Sequence, residues 1–215
     1  MAIRLAVLTG DVIDSRRIDD ARRLRRVLDA VLTRLADRHD GAYQRYRGDG
    51  FQLALGRADA ALDAAMALRA ALIANSEADR RWDARLAIAV GRDRWRPGHD
   101  LASADGPVFV ASGQALDTLA EGDAHLSLNL TDGPIEPCQT LLLRYLDALV
   151  DGWSPYAAEI VGLRLEHDET QQALAQRLGI RQPSVHKRLR AARWPLVADT
   201  LTHFRERLAR EDSTP

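Results

Sequence analysis

The stretch RYRGDGFQLAL, at residues 45–55, decides the fold that this sequence predicts. Short strand-like runs at residues 43–47 and 51–55 flank a Gly-Asp-Gly segment. Glycines on both sides of Asp49 allow the tight turn that a β-hairpin needs. The stretch therefore predicts two antiparallel strands that are joined at Asp49.

A second Gly-Asp pair occurs near the N-terminus, in LAVLTGDVIDS at residues 5–15. An apolar run over residues 3–8 predicts a first strand, which Gly10 and Asp11 close. If the first two strands run parallel with the third between them, Asp11 and Asp49 meet at one edge of the sheet. Two carboxylates at a sheet edge suit Mg²⁺ with nucleotide phosphates.

Hydrophobic periodicity supplies that strand order. Apolar residues at helical spacing predict a helix over residues 19–37, and a second helix over 58–75 precedes a strand at 85–90. The resulting order is βαββαβ, which is the order of the ferredoxin-like unit. A helix at 107–121 and a strand at 125–130 extend this unit.

Composition and charge limit the classes of function that this protein can have. In a chain of 215 residues, 46% hydrophobic and 28% charged content are typical of a soluble protein with one or two domains. The single cysteine, Cys138, excludes an internal disulfide and favours a reducing cytoplasm. No apolar run approaches the roughly 20 residues that span a membrane, so we expect no membrane partner. Because the net charge is −1, any nucleic-acid surface has to be local.

The segment after the first strand favours phosphate binding. A strand-to-helix turn offers backbone N–H groups at the positive end of a helix dipole. Ser15 can donate to phosphate, and Arg16, Arg17 or Arg47 can neutralise its charge. The candidate phosphate or nucleotide site comprises Ile13, Asp14, Ser15, Arg16, Arg45, Arg47 and Gly48. The alternative is that both Gly-Asp pairs are plain turn residues and that Ser15 or Asp19 caps a helix.

A loop-forming Thr-Asp-Gly-Pro segment marks a boundary between a first domain, residues 1–133, and a second domain, residues 134–215. The second domain reads as helical throughout, and residues 170–193 have helix-turn-helix spacing. A short helix ends at Gly179, and Pro183 lies at the start of the next helix, where proline is tolerated. We therefore predict an α+β first domain followed by an all-α DNA-binding domain.

Charge favours DNA binding by the second helix of this motif. Six basic residues and no acidic residue lie between positions 177 and 193. Arginine and glutamine near the helix start suit base edges, whereas Ser184, Arg188 and Arg193 suit phosphates. The candidate DNA-binding residues are Arg181, Gln182, Ser184, His186, Lys187, Arg188, Arg190 and Arg193. The alternative is a solvated basic helix in a plain helical bundle.

Between the two domains lies an apolar stripe at helical spacing. It consists of Leu141, Leu142, Tyr145, Leu146, Leu149 and Val150. The stripe either packs on the sheet or pairs two chains. A homodimer is the expected state, since helix-turn-helix proteins commonly bind two half-sites as dimers.

Four segments in one order, TGDVIDSR, RGDGFQLAL, RLAIAVG and DGPVFVASGQAL, resemble a class III nucleotide cyclase domain, which is related in palm architecture to diguanylate (GGDEF) cyclases. The C-terminal helices resemble sigma factor region four, and the whole chain resembles the SatD family of bacterial proteins. The resemblance implies that Asp11, Asp49 and the carbonyl group of Val12 bind metal, with Mg²⁺ as the cofactor.

The chain also departs from the cyclase pattern. Val110 and Gln114 stand where the cyclases have a catalytic asparagine and arginine, and Gln114 supplies no charge to a transferring phosphoryl group. The leading hypothesis is thus a transcription regulator that binds double-stranded DNA and senses a nucleotide or another phosphorylated small molecule. The alternatives are an active Mg²⁺-dependent nucleotide-processing enzyme and a structural interaction protein.

Overall fold

The computed structural model describes residues 2–46, 48–167 and 169–210. Within these residues, a five-stranded mixed sheet is combined with eight α-helices. The strands are β1 (Ile3–Val12), β2 (Gly41–Arg45), β3 (Phe51–Leu55), β4 (Ala84–Asp93) and β5 (Leu126–Leu130). The helices are α1 (Ala21–Arg38), α2 (Ala61–Ala74), α3 (Pro107–Ala120), α4 (Pro137–Asp151), α5 (Pro155–Glu166), α6 (Gln171–Leu178), α7 (Gln182–Ala191) and α8 (Trp194–Arg210).

The strands lie in the order β2-β3-β1-β4-β5. All neighbouring strands are antiparallel except β4 and β5, which are parallel. Because β3 lies between β1 and β2 and is antiparallel to both, β1 and β2 run in the same direction. This is the arrangement that brings the end of β1 and the β2–β3 turn to the same edge of the sheet.

The first strand is longer than predicted. It continues through Gly10 and Asp11, so the prediction that this pair closes the strand at residue 8 was wrong. The reason is that β1 is central, and its ladder with β4 continues until Val12 lies opposite Ala84. A β-carbon on Gly10 would lie 2.7 Å from the carbonyl oxygen of Arg85, so glycine is needed for the strands to approach here.

The two faces of the sheet bury different helices. On one face, Ala6 and Leu8 belong to a large cluster that includes α1 and α2. On the other face, Leu5 and Val7 pack with Val108 of α3. The alternation along β1 is the pattern expected for a strand that is covered on both sides.

The C-terminal helices pack against this framework. Side chains of α4, α5 and α8, including Val150, Val161 and Phe204, join the same large cluster as α1 and α2. Helices α6 and α7 contribute to a smaller cluster, which consists of Ile160, Leu174, Ala175, Val185 and Leu189. The domain boundary after residue 133 stays a prediction, because the large buried cluster contains side chains from both sides of it.

The predicted apolar stripe on α4 is divided between the core and the surface. Leu146 and Val150 are buried, whereas Leu141 is 50% exposed and Tyr145 is 64% exposed. Leu146 and Val150 thus pack into the large buried cluster that also contains strand residues. This agrees with the first alternative, in which the stripe packs on the sheet. Leu141 and Tyr145 remain available for pairing with a second chain.

Candidate functional site

The end of β1 and the turn between β2 and β3 lie side by side. Gly10 is opposite Phe51 in the ladder between β1 and β3, so Asp11 lies next to Gly50 and the hairpin turn. Gly48, in that turn, has a φ of 94°, which glycine adopts without strain. The hydrogen bonds to Asp11 raise the pKa of the Arg85 guanidinium most, partial burial lowers it, and the charges of Asp11, Asp49 and Asp14 raise it further.

Arg85 is the residue at this edge that the sequence reasoning missed. Its Nε and Nη2 donate to the two carboxylate oxygens of Asp11 at 3.0 and 2.8 Å. The pair forms because Arg85 lies directly opposite Asp11 in the ladder between β1 and β4. The assignment of Asp11 as a metal ligand stays a prediction, and a metal ion there would compete with the bidentate arginine for this carboxylate.

A cleft of about 150 Å³ lies beside this edge, on the side of α1. It brings together most of the predicted site: Val12, Ser15, Arg16, Arg45, Gly48 and Asp49. Arg25, from the first turns of α1, also lines it. The cleft is smaller than the roughly 300–1,000 Å³ typical of sites for whole small molecules. Its size and its hydroxyl, carboxylate and guanidinium groups suit one phosphate group with a cation.

Several predicted phosphate ligands are placed less favourably, including Arg45, although Arg45 lines the cleft. The N–H of Ile13 donates to the carbonyl group of Asp83 at 2.9 Å, so it does not face a ligand. Asp14 is exposed, with a φ of 51°. Arg45 is held by Asp29 of α1, at 3.1 Å. Arg47 lies outside the described residues.

The N-terminus of α1 is not the free anion site that was expected. A 3₁₀ turn at Ser15–Arg17 separates β1 from the helix. The carboxylate of Asp20 then accepts a hydrogen bond from the N–H of Arg23 at 2.8 Å and caps the helix. The cap places a negative charge at the helix start, where an incoming phosphate would otherwise benefit from the dipole.

Helix α3 is fixed to the sheet by a buried polar chain. The Ser112 hydroxyl lies 2.7 Å from the Thr9 hydroxyl, and the Gln52 amide donates to Thr9 at 3.1 Å. Val110 and Gln114 lie on the outer side of the helix and are exposed. Neither position carries a cation, and the amide of Gln114 is the only polar side-chain group of the two.

A second polar cluster surrounds Arg69, which is fully buried in α2. Its guanidinium donates to both oxygens of Asp83 at 2.8 and 2.9 Å, and to Asp147 and Asp151 of α4 at 2.5 and 2.9 Å. His125, just before β5, contacts Asp151 through Nδ1 at 2.9 Å. This cluster ties α2, the β4 and β5 ends and α4 together.

The cluster contains a group that could hold a metal ion. In the described residues, ligand atoms of Asp83, His125 and Asp151 lie within 4.8 Å of one another. Burial alone would raise the pKa of Asp83, but hydrogen bonds and charge from Arg69, with the charge of Arg81, lower it. Burial likewise lowers the pKa of Arg69, while Asp83 and Asp147 outweigh this and raise it. The lowered pKa favours the ionised form of Asp83, and Arg69 already supplies a cation to this cluster.

Helices α6 and α7 meet at a glycine turn. The Thr170 hydroxyl accepts from the N–H of Ala173 at 3.2 Å and caps α6. Gly179 follows α6 with a φ of 62°, and the N–H of Ile180 then donates to the carbonyl group of Ala175. This is a glycine C-cap, which ends one helix and redirects the chain into the next.

The outer side of α7 is basic and open to solvent. The exposed predicted DNA-binding residues are Arg181, Gln182, Ser184, His186, Lys187, Arg190 and Arg193. Arg188 is different, because its guanidinium is 2.6 Å from the carboxylate of Glu159 and 4.7 Å from the ring of Tyr156. The assignment of Arg188 as a phosphate contact stays a prediction, and α5 holds this side chain through Glu159 and Tyr156.

Both missed arginines had a signal in the sequence. Antiparallel pairing of the first and fourth strands places the start of the fourth opposite the end of the first, which would have matched Arg85 with Asp11. Arg69 lies among apolar residues in the second half of helix ALDAAMALRAALIA, where an unpaired charge would be costly. A buried carboxylate partner for Arg69 was therefore to be expected.

Comparison of the chain with models of protein families and with curated protein sequences finds no match. Across the described residues, no helix combines the length and the apolar character that crossing a membrane requires.

Proposed function

We propose that this protein is a DNA-binding transcription regulator that belongs to the SatD family and acts in the cytoplasm. The observation that carries the proposal is the exposed basic side of α7. Of the six basic residues from Arg177 to Arg193, Arg177 pairs with Glu169 and Arg188 with Glu159, and the exposed ones without such a pair in the described residues are Arg181, Lys187, Arg190 and Arg193. Because the whole chain has a net charge of −1, this local concentration stands out as a surface for a polyanion.

Helices α6 and α7 are proposed to act as a helix-turn-helix motif. In such a motif the second helix enters the major groove and its first residues reach the base edges. Arg181 and Gln182 are at that end of α7, whereas Lys187 and Arg190 are farther along and suit phosphates. Leu141 and Tyr145 on α4 are the surface proposed for a homodimer that binds two half-sites.

The N-terminal part is proposed to be a ferredoxin-like domain of the cyclase type that binds a phosphorylated ligand. The strand order and directions support this fold, and the cleft beside Asp49 supports the ligand class. Mg²⁺ would be held by Asp49 and the carbonyl group of Val12, since Arg85 neutralises Asp11. The small cleft suits a phosphate group, so the rest of a nucleotide would extend beyond it.

A nucleotide-processing enzyme is the second candidate, and Asp49 in the cleft is the observation that favours it. An exposed valine and an exposed glutamine at positions 110 and 114 oppose cyclase chemistry, because neither stabilises a developing negative charge. Incubation of the full chain with ATP or GTP and Mg²⁺ separates the candidates. The regulator requires that no cyclic product forms, and product that disappears in Asp49→Asn would establish the enzyme.

The test of DNA binding is selection of genomic fragments by the full-length protein. We expect an enriched sequence, and we expect the double variant Lys187→Ala/Arg190→Ala to lose most of the enrichment. Arg144→Ala, which removes an exposed arginine from α4, is the matched control and should leave enrichment unchanged. Failure to enrich any sequence, with equal recovery by all variants, would refute the proposal.

A further inference from the structure

A second cavity, of about 330 Å³, lies between α7 and the start of α8. Its apolar wall is formed by Leu189, Trp194, Pro195 and Leu196. Leu196 is 58% exposed, which leaves a large apolar side chain without cover in the described structure. The volume is within the lower part of the range for small-molecule sites.

The polar residues around this cavity are neutral or basic. Gln171, His186, Arg190 and Arg193 complete the lining, and among the described residues none that lines the cavity is acidic. The guanidinium of Arg164 lies 5.8 Å from the ring of Trp194, which adds another positive charge nearby. The cavity thus combines an apolar wall with a cationic rim.

We infer that this cavity binds a small amphipathic carboxylate, with its apolar body against Trp194 and Leu196 and its carboxylate at Arg190 and Arg193. Charge complementarity selects an anion. A DNA phosphate could meet the rim but could not cover the apolar wall. A helix from a second chain would need a longer groove than about 330 Å³ provides. A small molecule with one apolar part and one negative group satisfies both surfaces.

Carboxylate binding in this cavity does not rest on the proposed function. Only the expected effect of the ligand on DNA binding rests on it. The test is calorimetry of the full-length protein with sodium octanoate. Acetate, which has the charge without the apolar body, and 1-octanol, which has the body without the charge, are the comparison ligands. We expect saturable binding of octanoate and at least about tenfold weaker binding of both comparison ligands.

Variants locate the binding in this cavity. Leu196→Ser and Arg190→Gln should each weaken octanoate binding by about tenfold, and both residues are exposed, so the fold should persist. Val110→Ser and Arg144→Gln, which change exposed residues of α3 and α4, should have no effect. Absence of octanoate binding, or equal loss in cavity and control variants, would overturn the inference. If the unaltered protein binds octanoate but no DNA, the inference stands and only the proposed function fails.

Discussion

Replacement of Arg69 by methionine should strongly destabilise the fold. The substitution keeps an unbranched side chain but removes a guanidinium that is completely buried. Asp83, which is 3% exposed, would retain Arg81 and the N–H of Ala84. Asp147, which is 7% exposed, would retain the N–H of His125 and a 4.0 Å approach to the His125 ring, but no arginine among the contacts described. Breaking a buried pair in this way costs about 3–5 kcal/mol.

Urea unfolding, followed by tryptophan fluorescence, measures this loss. We expect the midpoint to fall with little change in the slope, because the unfolded surface is the same. Arg205→Met is the matched control. It breaks an exposed pair with Asp63 and should cost no more than about 1 kcal/mol. If Arg69→Met unfolds within about 1 kcal/mol of the unaltered protein, the cluster does not stabilise the fold as argued.

The pH dependence of stability provides a second readout of the same cluster. Because the pKa of Asp83 is lowered in the folded state, its contribution is present above the unfolded value of 3.8. This contribution is lost as the pH falls below 3.8 toward the folded pKa. In Arg69→Met the lowering should diminish, so this part of the acid sensitivity should shrink. An unchanged acid profile would contradict the assignment of Arg69 as the cause.

Three further predictions concern the candidate sites. Asp49→Asn should abolish Mg²⁺-dependent binding of ATP or GTP in calorimetry. The control Asp37→Asn, on the exposed side of α1, should leave this binding unchanged. If the unaltered protein binds neither nucleotide, the phosphate site is refuted. Gln182→Ala should reduce discrimination at one base pair of the selected DNA site by about 1–3 kcal/mol, and equal discrimination would show that Gln182 reads no base. Octanoate should weaken DNA binding on the order of tenfold, because Arg190 and Arg193 belong to both surfaces, and acetate should not.

The local structure of the chain followed closely from its sequence. The glycines around Asp49 predicted the hairpin, and helical spacing placed α1, α2 and α3 within a few residues of their observed ends, whereas the bounds of α4, α5 and α8 were not predicted. The hairpin strand β2 ends at Arg45 rather than at residue 47, and β1 continues to Val12. Both differences arise from pairing with neighbouring strands, which periodicity within one segment does not describe.

The partners of charged side chains were harder to predict. Asp11 was expected to bind metal, but its partner Arg85 is on a strand 74 residues away in sequence. Arg188 was expected to contact DNA phosphates, but its guanidinium forms an ion pair with Glu159 on another helix. In both cases the residue type was consistent with the predicted role, and a tertiary contact changed which groups remain free. In the described residues, Lys187 and Arg190 of α7 have no ion pair of this kind. The proposed DNA binding depends on exposed positions such as these two.

The most direct test of DNA binding by the basic side of α7 is the salt dependence of the affinity for DNA. The logarithm of the binding constant should fall linearly with the logarithm of salt concentration for the full-length protein. Lys187→Ala should make this slope shallower by about 0.9, the value for one lost phosphate contact, while Arg144→Ala should leave it unchanged. The same slope in Lys187→Ala as in the unaltered protein, or an affinity that does not depend on salt, would contradict DNA binding by the basic side of α7.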